Sequence, residues 1–259
     1  MTNDLGTAPA PRSELPAARV VQAPFSSALL ELAARRPEIV VLSADLSKYT
    51  DVAPFAAAHP DRFFQVGMAE QNMMGIAGGL AKTGFLPIPV TYCVFAARRA
   101  LDQVEMALAT GRRTTVVTAF LPGITTPFRA SHQGTDDLAA MRGIPGMTVI
   151  DPMDATELAA ALRAAVEVEG PVYLRGLRGE VEAILETPYE LDLAHARLLR
   201  DGNDIGLVGT GLGTCWALEA SLLLAEEGVS AAVLHVPVLK PFDTAGVASF
   251  AGRFAALLS

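Results

Sequence analysis

Short apolar runs typical of buried strands alternate along this chain with segments that have helical spacing. The strand-like runs fall at residues 39–42, 63–66, 86–91, 114–119, 147–150 and 171–174. Segments of helical spacing lie between or before them, at 26–36, 69–83, 95–110 and 154–167. This alternation predicts a mostly parallel sheet that is covered by helices on both faces. The predicted fold class is therefore α/β.

The strand–helix pattern weakens around residues 180–193, where Pro188 and scattered acidic residues indicate a linker. We therefore expect a flexible arm at 1–18, a parallel-sheet domain at 19–180, a linker at 181–195 and a smaller α/β domain at 196–259. The last domain contributes only two predicted strands and two predicted helices. We expect it to be truncated.

Composition and charge exclude several classes of function. The net charge of -8 disfavours binding to nucleic acid or to anionic membranes. The two cysteines, Cys93 and Cys215, are far apart, which disfavours a disulfide framework or a zinc site. No apolar run reaches the ~20 residues that span a bilayer. A reducing, cytoplasmic location is expected.

Polar residues directly follow several predicted strands, at the edge of the sheet where parallel α/β folds bind ligands. The most unusual of these segments is 67–81, where Glu70, Gln71 and Asn72 begin a helix that is otherwise built of small and apolar residues. One interpretation is that the acidic residue favours the positive end of the helix dipole. The other is that Glu70 is a functional carboxylate.

Several segments resemble motifs of transketolases and deoxyxylulose-phosphate synthases, in the same order along the chain. They are the segment 67–81, Ser43-Ala44-Asp45-Leu46, Thr91-Tyr92-Cys93-Val94-Phe95, and Ser131-His132-Gln133 with the downstream Leu138, Arg142, Pro145 and Asp151-Pro152. The resemblance covers nearly all of residues 20–240. It implies a parallel-sheet pyrimidine domain that binds thiamine diphosphate, followed by a transketolase C-terminal domain.

The resemblance implies roles for the residues near Glu70. Glu70 would hydrogen-bond the aminopyrimidine of the cofactor and promote loss of its C2 proton, with apolar neighbours such as Met68 desolvating the carboxylate. Tyr92 and Phe95 would hold the flat pyrimidine ring, and Asp45 would contact the cofactor or a subunit interface. Core packing for the two aromatic residues, and a helix N-cap for Asp45, remain open as alternatives.

Substrate contacts are also implied by the resemblance. His132 matches a histidine that faces the cofactor and the sugar, so it is a catalytic and substrate-binding candidate. Arg98 and Arg99 begin an otherwise apolar helix, while Arg175 and Arg178 match a phosphate-binding region. Arginine suits a phosphate because its planar fork gives paired, charge-assisted hydrogen bonds. Solvated surface charge is the alternative for each arginine.

The family's Gly-Asp-Gly motif and following Asn pair, which bind the diphosphate through a divalent cation, do not occur in this chain. The resemblance therefore implies that Mg²⁺ ligands come from a partner, the N-terminal transketolase subunit, in an α2β2 assembly. No metal ligand is predicted in this chain.

The sequence departs from the family before Ser131. Phe120 stands where transketolases carry a histidine, and Pro127-Phe128 replaces an acidic pair. These changes predict a more apolar site, which disfavours pentose-phosphate transketolase activity and favours a specialised ketol transferase or a decarboxylating acyloin former.

Two other interpretations stay open. The chain is also similar to the β-subunits of 2-oxoacid dehydrogenases, and it could be a non-catalytic assembly subunit. A nicotinamide-dependent oxidoreductase is disfavoured, because the glycines at 209, 211 and 213 lack the dinucleotide-binding spacing.

Overall fold

A computed structural model describes residues 19–111, 113–125 and 130–259. The predicted N-terminal arm at 1–18 and the Pro127-Phe128 position lie outside the described residues. None of the helices within the described ranges is long and apolar enough to cross a bilayer.

The described residues form thirteen strands. They are β1 (Arg19–Gln22), β2 (Ile39–Ser43), β3 (Phe63–Gln65), β4 (Leu86–Tyr92), β5 (Thr115–Phe120), β6 (Thr148–Ile150), β7 (Pro171–Gly176), β8 (Glu180–Ala183), β9 (Arg197–Arg200), β10 (Ile205–Gly209), β11 (Ala231–His235), β12 (Val238–Lys240) and β13 (Leu257–Leu258).

Helices connect most of these strands. They are α1 (Pro24–Arg35), α2 (Ala53–Ala58), α3 (Glu70–Lys82), α4 (Leu101–Gln103), α5 (Asp137–Gly143), α6 (Ala155–Ala165), α7 (Gly211–Glu226) and α8 (Thr244–Ala251). Single 3-10 turns lie at Pro60–Arg62 and Ala130–His132. Asp154 caps α6, because its carboxylate accepts a hydrogen bond from the Glu157 backbone N–H.

Seven strands form the main sheet, in the order β12-β6-β7-β5-β4-β2-β3. All neighbouring pairs are parallel except β12–β6. Successive residues of β2 point to opposite faces of the sheet. Val41 packs on the face covered by α1 and α6, whereas Leu42 packs on the face covered by α3 and α5. The predicted α/β fold with a parallel sheet is confirmed.

The helix predicted at 95–110 has a less regular form. Two π-helical segments, Phe95–Arg99 and Val104–Ala109, flank the single turn of α4. The Ala100 backbone N–H donates to the Phe95 carbonyl at 3.0 Å, five residues back. Apolar spacing does not separate π from α helices, so the sequence did not reveal this. Such segments are frequent at functional sites.

The C-terminal part contains more strands than the two that the sequence predicted. Its four-stranded sheet has the order β13-β10-β11-β9, with α7 and α8 packed on it. The predicted linker at 181–195 begins inside β8, which pairs with β1 in a two-stranded antiparallel sheet. These additional strands are only two to four residues long and polar in part, so they give no strong apolar signal.

The two parts of the chain share buried polar contacts. The Glu157 carboxylate of α6 accepts a hydrogen bond from the Tyr189 hydroxyl at 2.6 Å and lies 2.7 Å from the His235 Nε2 of β11. The other ring nitrogen of His235 lies 2.7 Å from the Thr214 hydroxyl of α7. Burial opposes ionisation of Glu157, but the hydrogen bond and charge of His235 lower its pKa below the ordinary value.

Candidate functional site

A cavity of about 290 Å³ opens beyond the carboxyl ends of β2 and β4. These strands are neighbours in the sheet, but the chain leaves β2 toward one face and β4 toward the other. In open α/β sheets, ligands bind at such a switch of direction. The cavity is lined by Ala44, Asp45, Leu46, Met68, Glu70, Phe95, Arg99, Ser131 and His132.

Glu70 is the first residue of α3 and the most deeply buried carboxylate of this cavity, with only 1% of its surface exposed. Its position fits the preference of acidic side chains for the positive end of a helix dipole. Both carboxylate oxygens accept hydrogen bonds from Nη1 of Arg99, at 2.9 and 2.8 Å. The Arg99 side chain is 47% exposed, so this ion pair joins a buried carboxylate to a cation that reaches solvent.

Three rings lie together, and two of them, Phe95 and His132, line the cavity. Tyr92 and Phe95 are stacked, with centroids 5.8 Å apart and an interplanar angle of 23°. His132 contacts both in edge-on geometry, at 6.1 Å from Tyr92 and 5.3 Å from Phe95. Burial raises the pKa of the Tyr92 hydroxyl. The structure thus brings together the aromatic residues that the sequence predicted for a flat ring.

Two predicted cofactor contacts are placed differently from expectation. Met68 lines the cavity, but 78% of its surface is exposed, so in this chain it does not seal Glu70 from water. Asp45 has a positive φ of 61°, and its backbone N–H donates to the Gln65 side chain at 2.7 Å. Its carboxylate lies at the cavity and does not cap a described helix.

The four predicted substrate arginines lie in different surroundings. Arg99 is paired with Glu70, and Arg98 forms an exposed ion pair with Asp136 at 2.9 Å. Arg178 lies in a separate cavity of about 590 Å³ between the two parts of the chain, which is lined also by Leu121, Leu177, Leu212 and Trp216. Arg178 is exposed and is available to an anionic ligand.

Arg175 does not reach either cavity, because its guanidinium is enclosed. The side chain is 12% exposed and contacts Asp137 through Nε and Nη2, at 2.8 and 2.6 Å, and Asp151 through Nη1 at 3.3 Å. Burial opposes its charge, but these carboxylates raise the pKa of Arg175. The Tyr173 hydroxyl also donates to Asp137. This geometry favours a structural role over the predicted substrate contact.

Phe120 is a core residue. It is fully buried, and its ring meets the Phe25 ring edge-on at 5.3 Å. A Cβ at Gly176 would lie 2.7 Å from the Phe120 ring, so the ring fills the space that this glycine leaves. The phenylalanine at position 120 therefore adds apolar packing beneath the site. Its side chain does not line the cavity around Glu70.

Sequence reasoning missed the Glu70–Arg99 ion pair and the Asp137–Arg175 cluster. Arg99 follows Phe95 by four residues, which places both on one face of a helix and is a signal that could have linked Arg99 to the cavity. Asp137 and Arg175 are brought together only by the topology of the parallel sheet, so no local sequence pattern links them.

The described residues fit one half of thiamine diphosphate. A buried carboxylate beside stacked aromatic side chains suits the aminopyrimidine ring, which is flat and carries ring nitrogens that accept hydrogen bonds. Within the described ranges there is no group of three or more His, Cys, Asp or Glu side chains that could hold a metal ion.

Comparisons with known proteins point to one family. Residues 20–183 match the family model of the transketolase pyrimidine-binding domain, and residues 194–258 match that of the transketolase C-terminal domain. A transketolase family protein of Sinorhizobium fredii is 49% identical over 232 residues, which cover 89% of this chain and 67% of that protein. A 6-deoxy-6-sulfo-D-fructose transketolase subunit of a Clostridium species is 38% identical, over 89% of this chain and 72% of that protein.

A solved structure of a split gene transketolase, described as an inactive beta4 tetramer, superposes with a TM-score of 0.82 at 38% identity. The match covers 91% of this chain and 77% of that chain. Two domain models, two relatives and one solved structure thus agree on one family. The chain, with its pyrimidine-binding domain and short C-terminal domain, belongs to the transketolase family.

Proposed function

We propose that this chain is the pyrimidine-binding subunit of a two-chain, thiamine-diphosphate-dependent transketolase. The enzyme transfers a two-carbon ketol or acyl unit from a ketose or 2-oxoacid donor to an aldehyde acceptor. The observation that carries this proposal is the buried carboxylate of Glu70, which lies at the switch point of the sheet beside Phe95, Tyr92 and His132.

Each of these side chains has a task in the proposed reaction. When bound, thiamine diphosphate supplies a carbanion at C2 of its thiazolium ring. Glu70 holds a proton against a ring nitrogen of the aminopyrimidine, and Phe95 and Tyr92 orient that ring by stacking. His132, whose Nδ1 lies 3.0 Å from the Ser131 hydroxyl, donates to or accepts from oxygens of the substrate at the cavity mouth.

A partner chain supplies the rest of the site in this proposal. Mg²⁺ is held by oxygen ligands, and the partner's Gly-Asp-Gly motif provides them together with the diphosphate pocket. Two features of the relatives support this division. The Clostridium protein is described as a subunit, and the split gene transketolase is described as inactive when four β chains assemble. An α2β2 complex is the assembly we propose.

The proposed substrate carries an anionic group at the end remote from the reacting carbons. Of the predicted substrate arginines, Arg178 and Arg98 are exposed and are not paired with a buried carboxylate in the described contacts. The Clostridium relative acts, by its description, on a sulfo sugar, which carries such a group. Leu121 and Leu177 line the same cavity as Arg178. These apolar side chains favour a substrate with fewer hydroxyl groups than a pentose phosphate.

The test of this function uses the assembled complex. The chain is captured from its native extract, the partner with the Gly-Asp-Gly motif is identified by mass spectrometry, and both are co-expressed. Exchange of the cofactor C2 proton with deuterium is followed by NMR in the presence of Mg²⁺. We expect Glu70→Gln to slow exchange about 10²- to 10⁴-fold, the usual size of a general acid–base contribution.

Glu226→Gln, on the exposed surface of α7, is the matched control and should exchange at the wild-type rate. An unchanged rate in Glu70→Gln would remove Glu70 from the mechanism. Recovery of the chain alone, as a stable oligomer without a partner, would contradict the two-chain proposal.

A further inference from the structure

The Glu70 carboxylate and the Phe95 ring are both covered by one side chain. Nη1 of Arg99 donates to both oxygens of Glu70, and the guanidinium carbon lies 4.3 Å from the centroid of Phe95. A guanidinium at this distance stacks on the ring face in a cation–π contact. Arg99 therefore satisfies the carboxylate and occupies a face of the aromatic ring at the same time.

The π-helical backbone explains how Arg99 reaches both groups. Phe95 and Arg99 are the first and last residues of one π-helical segment, and the turn is closed by the hydrogen bond from the Ala100 N–H to the Phe95 carbonyl. Residues four apart lie on the same face of such a turn. The neighbouring Arg98 points elsewhere and pairs with Asp136, so the arrangement depends on a single position.

An aminopyrimidine ring needs the same two positions that Arg99 holds. It has to stack on an aromatic face and receive a hydrogen bond from the buried carboxyl group. A carboxylate that accepts two hydrogen bonds from a guanidinium is held in its ionised form, whereas a carboxyl group that donates to a ring nitrogen is protonated. Arg99 and the cofactor are therefore competitors for Glu70 and Phe95.

We propose that Arg99 is a clamp on the cofactor site: it holds Glu70 and covers Phe95 in the free subunit, and it must turn away when the aminopyrimidine binds. This inference rests on the proposed function. It assigns Arg99 a positioning role toward the cofactor in place of the substrate contact predicted from sequence. Binding of the cofactor then includes the cost of breaking one half-exposed ion pair.

The test measures the affinity of the assembled two-chain complex for thiamine diphosphate with Mg²⁺ by isothermal titration calorimetry. Arg99→Met keeps the length of the side chain and removes its charge. We expect it to bind the cofactor about tenfold more tightly than the wild type, because no ion pair has to be broken. Arg99→Lys, which keeps the charge but lacks the planar fork, should lie between the two.

A second readout counts protons. Titration in buffers of different ionisation enthalpy gives the number of protons taken up on binding. The wild type should differ from Arg99→Met in the number of protons taken up, because only the wild type exchanges a guanidinium for the ring nitrogen at Glu70. The other titratable groups lining this cavity are Asp45 and His132, and both are unchanged in the variant. Equal proton counts for the two proteins would contradict the clamp.

Arg35→Met is the matched control, since its arginine pairs with the exposed Glu31 on the surface of α1, outside the cavity. It should bind the cofactor with wild-type affinity and proton uptake. Equal or weaker cofactor binding by Arg99→Met would overturn the clamp while leaving the proposed function intact. Failure of the wild-type complex to bind thiamine diphosphate would overturn the proposed function, and the clamp with it.

Discussion

Two buried carboxylates in this protein are each held by an arginine, but the arginines differ in their access to solvent. At Asp137 the partner, Arg175, is 12% exposed and is also bound to Asp151. At Glu70 the partner, Arg99, is 47% exposed and reaches no other carboxylate in the described contacts. The Asp137–Arg175 pair is enclosed within the protein, whereas the Glu70–Arg99 pair lines a cavity.

This difference teaches what each ion pair contributes. An enclosed arginine cannot move away without leaving a buried carboxylate unpaired, so the folded structure depends on Arg175. A half-exposed arginine can turn into water at little cost, so Arg99 leaves Glu70 available for another partner. The chemistry of the two pairs is the same, and exposure alone separates a structural contact from one that suits ligand exchange.

The largest effect on stability is expected at the enclosed pair. Arg175→Met removes the partner of a fully buried carboxylate and should lower the free energy of unfolding by about 3–5 kcal/mol. Denaturant unfolding measures this loss. The double variant Arg175→Met with Asp137→Leu should recover part of it, because only Asp151 then loses its ion-pair partner. A loss below about 1 kcal/mol in the single variant would erase the distinction between the two pairs.

An intermediate effect is expected at Glu157, which is buried as deeply but is held by a histidine. His235→Leu should cost about 1.5–3 kcal/mol at neutral pH, the range for a hydrogen bond to a charged group. The folded-state pKa of Glu157 is lowered, so the contribution of its ionised form is present above the ordinary value of 4.5 and is lost as the pH falls through the folded-state pKa.

The stability difference between the wild type and His235→Leu should therefore shrink on acidification below 4.5. Unfolding measured at neutral pH and at several pH values below 4.5 tests the sign. A difference that grows on acidification would show that the contact with Glu157 is not what His235 contributes.

The smallest effect is expected at the cavity pair. Arg99→Met should change the free energy of unfolding by about 1 kcal/mol or less, since the pair is open to solvent on one side. Arg98→Met, in the exposed pair with Asp136, provides the baseline. Thermal unfolding compares the variants directly. A loss at Arg99 as large as that at Arg175 would mean that both arginines are structural.

The sequence was informative where apolar runs are long and periodic. It predicted the six strands from Ile39–Ser43 to Pro171–Gly176 within two residues. Five of them are almost wholly buried, and the exposed Phe63–Gln65 is the exception. It missed Glu180–Ala183 and Arg197–Arg200, whose charged residues face solvent and whose pairing partners are distant in sequence. Long-range pairing, and not local pattern, creates these short strands.

Sequence reasoning on the site had a similar limit. It selected Glu70, Tyr92, Phe95 and His132, and the structure brings all four to one edge of the sheet. It treated the arginines as equivalent because residue type gives charge but not surroundings. Only the three-dimensional contacts separate them.

The pairing of β12 with β6 has a consequence for synthesis and for fragment design. Residues Val238–Lys240 complete the edge of a sheet whose other strands all lie before residue 177. While the nascent chain emerges from the ribosome, the edge of β6 stays unpaired until these residues follow, and an open edge is prone to join another chain. We expect a fragment that stops within 181–195 to aggregate, because its sheet would be expressed without its last strand.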